Sequence, residues 1–170
     1  GKFKALAHSK VFIQIKNNKA VKVLTGSTNF STNGLYINSN HVLIFSDNKI
    51  ATLYQDVFDA SFGETNMKSF YGSSWSTGEF TFTGNSTPKM TITFAPHTRD
   101  AAQTIFDRIR KRILVASNAD VLFAIMKDTN ASAILDAVRE QEKNKKIFTY
   151  GITDSIGDDA EYSVFLYKPN

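Results

Sequence analysis

The chain has no cysteine, one tryptophan and three prolines among its 170 residues. Without thiols it has no disulfide scaffold, no thiolate metal site and no cysteine nucleophile. That lack is compatible with a cytoplasmic location, which is the expectation. No apolar run approaches the ~20 residues that span a bilayer. Lysines and polar residues interrupt every apolar stretch of residues 1–30, so neither a transmembrane segment nor a signal peptide is read there. The most informative lack is local, because no Asp or Glu precedes Asp47. Lys2, Lys4, Lys10, Lys16, Lys19 and Lys22 give residues 1–46 a charge of +6, and the other 14 basic and 16 acidic residues leave −2 of the total +4. A segment of this length without carboxylates points to a site that handles phosphate or another anion, with an exposed lysine face as the equal alternative.

What is present is a globular composition, 42% hydrophobic and 21% charged, sufficient for one compact domain or two small lobes. Val11–Ile15 and Ala20–Leu24 are β-rich runs. They flank Lys16-Asn17-Asn18-Lys19, whose asparagines tolerate the left-handed backbone of a tight turn, so a hairpin is expected. Val42–Phe45 is a third strand. Ser46 or Asp47 can cap a helix from about Asn48 to Ser61, carried by Ile50, Leu53, Tyr54, Val57 and Phe58 at helical spacing. Residues 64–89, rich in Gly, Ser, Thr and Asn around Trp75, read as a connection holding at most an edge hairpin at Phe80-Thr81-Phe82. Beyond them, Met90–Phe94 reads as a strand. Thr98 caps a helix through Ala102, Ile105, Phe106, Ile109 and Ile113. Val121–Met126 reads as a strand buried on both faces. A helix with Ile134, Leu135 and Val138 and strands at Ile147–Tyr150 and Tyr162–Tyr167 complete the pattern. That alternation predicts an α/β fold with βαβ crossovers and a mixed, mostly parallel sheet flanked by helices.

The chemistry-bearing residues are His8-Ser9-Lys10 and Gly26-Ser27-Thr28-Asn29-Phe30-Ser31. A His and a Lys two apart on a strand share a face. One can attack phosphorus while the other neutralises phosphate oxygens. Gly26 permits close backbone approach, and Ser27 and Asn29 supply hydrogen-bond donors.

These residues resemble the HKD motif of the phospholipase D-like superfamily, H-x-K-x4-D followed by G-S-x-N. The polar turn Asn38-Ser39-Asn40-His41, the strand after it and the helix at 48–61 fit the same pattern. Residues 90–97 and 119–126 look like the opening of another lobe. The resemblance implies that residues 1–63 form the HKD-bearing closing half of a phospholipase D-like lobe. Residues 64–89 are then a connection, and residues 90–170 the opening half of a second lobe, docked with 1–63. It further implies hydrolysis or transfer of phosphodiesters through a phosphohistidine, without metal or other cofactor. His8 would be nucleophile or general acid, Lys10 and Asn29 phosphate ligands, Ser27 a weaker one, and Gly26 and Asn40 supporting residues. His97, at a strand end, is a candidate for the pocket lining.

The substrate would be phospholipid or nucleic acid. Two histidines are needed, so a homodimer or the parent's second lobe would supply the other. Two departures stand out. The motif's Asp position holds Ile15, and a position that carries a Glu in several members holds Asn40. They favour a rival reading, a degenerate domain that binds phosphate or nucleic acid without catalysis. With one motif, the chain reads as a piece of a longer protein, weak or inactive by itself. His41 is read as structural. Arg108, Arg110, Lys111 and Arg112 are read as a solvated basic face, and Tyr36, Tyr71, Trp75 and Phe80 mostly as packing.

Overall fold

The computed structural model describes residues 8–62, 70–84, 87–115, 120–127, 133–142 and 148–155. The chain divides into two compact units, Gly1–Thr98 and Arg99–Asn170.

The first unit opens with β1 (Val11–Lys16) and β2 (Lys19–Gly26), paired antiparallel. Asn17 and Asn18 turn the chain with φ of 50° and 58°, the left-handed pair that a two-residue hairpin loop requires. After α1 (Thr32–Tyr36), β3 (Val42–Phe45) returns antiparallel to β2, giving the order β1-β2-β3. A β-bulge interrupts the first pairing. Gln14 faces Lys22 but Ile15 faces Ala20, leaving Val21 as the extra residue. Strict alternation would put Ala20 and Val23 on opposite faces. With the bulge, both are buried, at 2% and 0% exposure.

Helix α2 (Asn48–Phe62) covers that inner face. Asp47 starts it, its Oδ1 accepting from the backbone N–H of Lys49 at 2.9 Å and of Ile50 at 3.0 Å. Ile50 and Ala51 are fully buried with Val23 and Ala20, and Val11, Ile13, Phe45 and Tyr54 pack around them. The short helix α3 (Ser74–Thr77) leads into β4 (Phe80–Phe82). Strand β4 pairs antiparallel with β5 (Met90–Ile92). Phe82, Met90 and Ile92 pack on the same core. Strands β4 and β5 thus help to build the first unit.

In the second unit, α4 (Arg99–Leu114) starts directly after Thr98, as expected. Strand β6 (Val121–Lys127), α5 (Ala133–Glu142) and β7 (Thr149–Ser155) form a βαβ unit with β6 and β7 parallel. Leu135, Ala137 and Val138 of α5 are buried. Gln141, also buried, donates from Nε2 to the carbonyls of Ile113 (2.9 Å) and Leu114 (2.6 Å), two of the orphan acceptors at the end of α4.

The fold is mixed α/β, but the mostly parallel sheet is not observed. Among the described residues there are three separate sheets, and only the β6–β7 pairing is parallel. The alternation of strands and helices cannot report pairing direction. Phe80–Phe82 lies close enough in sequence to Met90–Ile92 for a hairpin, whose loop closes at low entropic cost. The expected two-sided burial of Val121–Met126 also fails. Leu122 is 72% exposed, and Val121, Phe123 and Ile125 are half-buried, because a two-stranded ladder covered on one side leaves the other side open. The expected strand at Tyr162–Tyr167 lies outside the described residues.

Candidate functional site

The register gathers three sequence segments at one end of the first sheet. Val11 opposes Thr25, Thr25 opposes Leu43, and Gly26 opposes Val42. The residues just before β1 (His8 and Lys10), just after β2 (Ser27 and Asn29) and just before β3 (Asn40 and His41) therefore leave the sheet at the same end. His8 and Lys10 precede the strand instead of riding on it, so their relative orientation is not set by the pleat. Lys10 Nζ turns back to donate to the His8 carbonyl at 2.7 Å. Lys10 and Asn29 do meet. They line a shallow cavity of about 430 Å³ with Ser9, Phe12, Phe30 and Ser31, whereas His8, which is exposed, is not part of its wall.

Two glycines shape this end. Gly26 sits at φ +148°, and a Cβ there would run into the His41 carbonyl oxygen. A Cβ on Gly34 would run into the Asn29 carbonyl, so Gly34 lets α1 close over the backbone that carries Asn29. Ser31 caps α1, its Oγ accepting from Gly34 N at 3.1 Å.

The Ser27 hydroxyl is fully used. It donates to Asn40 Oδ1 at 3.0 Å and accepts from the His41 backbone N–H at 3.1 Å, with His41 Nδ1 at 3.2 Å. A hydroxyl has one hydrogen and two acceptor positions. With the hydrogen given to Asn40, Nδ1 of His41 must be the donor, which leaves Nε2 as its basic nitrogen. Asn40 in turn donates from Nδ2 to the Gly34 carbonyl at 2.9 Å. Both ends of the Asn40 amide thus brace the β2–β3 connection. Thr28, nearly fully buried, adds a 3.5 Å contact from Oγ1 to the His41 carbonyl.

His97 is held elsewhere in the first unit, its Nδ1 donating to the Ser76 carbonyl at 2.7 Å, and it does not line the Lys10–Asn29 cavity. Beneath the sheet, burial pushes the Tyr54 phenol above its ordinary pKa, and a hydrogen bond with Thr25 pulls weakly the other way. No helix among the described residues is long and apolar enough to cross a membrane.

The sequence reasoning missed Phe12 and gave Phe30 no role of its own. Phe12 and Phe30 meet edge to face, with centroids 4.9 Å apart, and they remain 60% and 44% exposed beside Lys10 and Asn29. The signal was available, since Phe12 is two residues from Lys10 and Phe30 adjoins Asn29.

Lysine and asparagine in one cavity at the end of a sheet, with the glycine-serine turn beside them, fit a phospholipase D-like segment. More particularly, residues 3–69 match the model of the family described as NgoFVII restriction endonuclease N-terminal PLD domain. No curated protein and no solved structure matches the chain.

Proposed function

We propose that residues 1–63 form part of a phospholipase D-like lobe that binds and cleaves nucleic-acid phosphodiesters. The observation that carries this reading is the joint wall of Lys10 and Asn29, a cation and an amide able to hold the non-bridging oxygens of one phosphate. The adjoining Phe12–Phe30 pair offers exposed aromatic surface for a base next to that phosphate, which favours nucleic acid over phospholipid. The family description, a restriction endonuclease, supports the same substrate class.

In this mechanism the neutral His8 imidazole attacks phosphorus. A P–N bond forms as the P–O bond to the leaving group breaks, and a second histidine protonates the departing oxygen. That histidine then takes a proton from water as the water attacks the phosphohistidine, which releases His8 and a phosphomonoester. The second histidine comes from a second lobe or a second chain, with residues 90–170 as the opening half of the next lobe. No metal enters a step. A cytoplasmic setting, where nucleic acid is met, fits the reading.

One observation favours a second, non-catalytic reading in which the cavity only binds phosphate. Ile15 replaces the motif's acid, and the Asn40 amide is engaged by Ser27 and Gly34, so neither supplies a carboxylate to stabilise an imidazolium.

The test is hydrolysis of a nitrophenyl phosphodiester in the presence of a chelator, with oligonucleotide binding measured alongside. Weak turnover abolished in His8→Ala, with binding lost in Lys10→Ala, supports the enzyme. Binding that depends on Lys10 without turnover at any protein concentration selects the second reading. Turnover that needs metal or survives His8→Ala refutes the mechanism.

A further inference from the structure

A second concavity of about 490 Å³ lies in the first unit and shares no wall with the Lys10–Asn29 cavity. One side is the outer stripe of α2, with Lys49, Thr52, Leu53 and Asp56 at i, i+3, i+4 and i+7. The other side is Trp75 and Phe80. Leu53, at 7% exposure, floors the groove, while Lys49, Thr52 and Asp56 stand exposed along it. Among the described residues neither the Lys49 ammonium nor the Asp56 carboxylate is in an ion pair.

Trp75 is unusually well fixed for a half-buried residue on a short turn. Its ring stacks on Phe80 (5.8 Å, 28°), Phe80 leans on Phe94 (6.0 Å), and Phe94 meets Tyr54 edge to face (5.1 Å, 82°). The backbone around it is tied by side chains. Ser73 Oγ donates to the Phe70 carbonyl at 2.7 Å, Ser76 Oγ to the Tyr71 carbonyl at 2.7 Å, and His97 Nδ1 to the Ser76 carbonyl at 2.7 Å. Ser76 itself is fully buried. This scaffold holds one indole at the rim of a groove that also carries one cation and one anion.

We propose that this groove binds a nucleotide, with the base against Trp75, the phosphate on Lys49 and an exocyclic amine of the base donating to Asp56. Seven residues of helix separate the two charged positions by roughly 10 Å, a span that an extended mononucleotide covers. The volume falls within the usual range of small-molecule sites. An aliphatic occupant would leave the two charges unmatched, whereas a nucleotide matches both and stacks on the ring. The site stands apart from phosphodiester cleavage, because none of its residues belongs to the His8–Lys10–Asn29 set.

Trp75 is the single tryptophan of the chain, so its emission reads this groove directly. Deoxycytidine monophosphate should quench it saturably, and inorganic phosphate at the same concentration should not. Lys49→Ala, at an exposed helix position, should weaken binding roughly tenfold, the loss of one charge-assisted contact. Trp75→Ala, followed by calorimetry, should weaken it roughly 5- to 150-fold, the range for one lost base stack. Lys10→Ala should leave the quench unchanged, which keeps this test separate from the fate of the catalytic reading. Three results would each overturn the proposal: unchanged emission at millimolar nucleotide, a quench abolished by Lys10→Ala, or emission that follows protein concentration without nucleotide, which would give the groove to a second copy of the chain.

Discussion

Replacing Gly26 by alanine puts a methyl group where the His41 carbonyl oxygen already lies, at a backbone φ of +148° that side chains rarely adopt. Holding a non-glycine residue in such a conformation costs about 1–3 kcal/mol. The carbonyl must also move, which breaks the 3.1 Å bond from Ser27 N to His41 O and removes about 1 kcal/mol more. The sum is about 2–4 kcal/mol. At roughly 4–8 °C per kcal/mol for a unit of this size, the melting midpoint of Gly26→Ala should fall by roughly 8–32 °C. The same shift displaces Ser27 and the turn leading to Asn29, so phosphate binding should weaken even where the protein remains folded. Gly72→Ala is the control, because its added methyl would meet nothing within 4 Å. Calorimetric melts of both variants decide the matter. A Gly26→Ala midpoint within a couple of degrees of the parent would refute the close approach between β2 and β3 as the reason for glycine there.

Two further outcomes are expected. Asp47→Ala removes the acceptor for the N–H groups of Lys49 and Ile50 and should cost about 0.5–2 kcal/mol, read as a lower urea midpoint with unchanged slope. Tyr54 ionises less readily folded than unfolded, so the unfolded chain loses its proton first as pH rises past 10.0. Stability tied to Tyr54 is therefore complete below that pH and declines above it. Tyr54→Phe should flatten the decline while giving up about 1 kcal/mol of the Thr25 hydrogen bond at neutral pH, and denaturation followed across the alkaline range would reveal an unaltered slope if burial is not the cause.

Local features were legible in the sequence because their causes are local. Two asparagines between β-rich runs specify the hairpin turn, and Asp47 before a 3.6-residue apolar period specifies the start of α2. The motif pointed to Lys10 and Asn29, and both line one cavity. What stayed hidden depends on distant partners. Nothing in Met90–Ile92 says that it pairs backwards onto Phe80–Phe82, or that both strands cover Ile50. The turn of Lys10 onto the His8 carbonyl follows from where β1 begins, and periodicity leaves that position open by a residue or two. His41 read as structural, and its ring meets Ser27 Oγ, a contact that only the β2–β3 register creates. His97 stood at a strand end, yet the partner that orients it is the Ser76 carbonyl, twenty-one residues earlier.

The bulge at Val21 works as a phase converter in the hairpin. Between the asparagine turn and the end that carries Lys10 and Asn29, β2 spends one more residue than β1, and every side chain beyond that point is half a period out of step with a plain ladder. Deleting Val21 would leave the turn and every pairing in place, because Lys22 would then follow Ala20 directly and still face Gln14. Val23 would keep its inner place and Asn29 its position beside Lys10. The hairpin therefore carries one residue of slack, and that slack lies in β2 alone. A residue lost from β2 at the bulge is absorbed, whereas a residue lost from β1 slides Lys10 past Asn29 by one residue, about 3.3 Å.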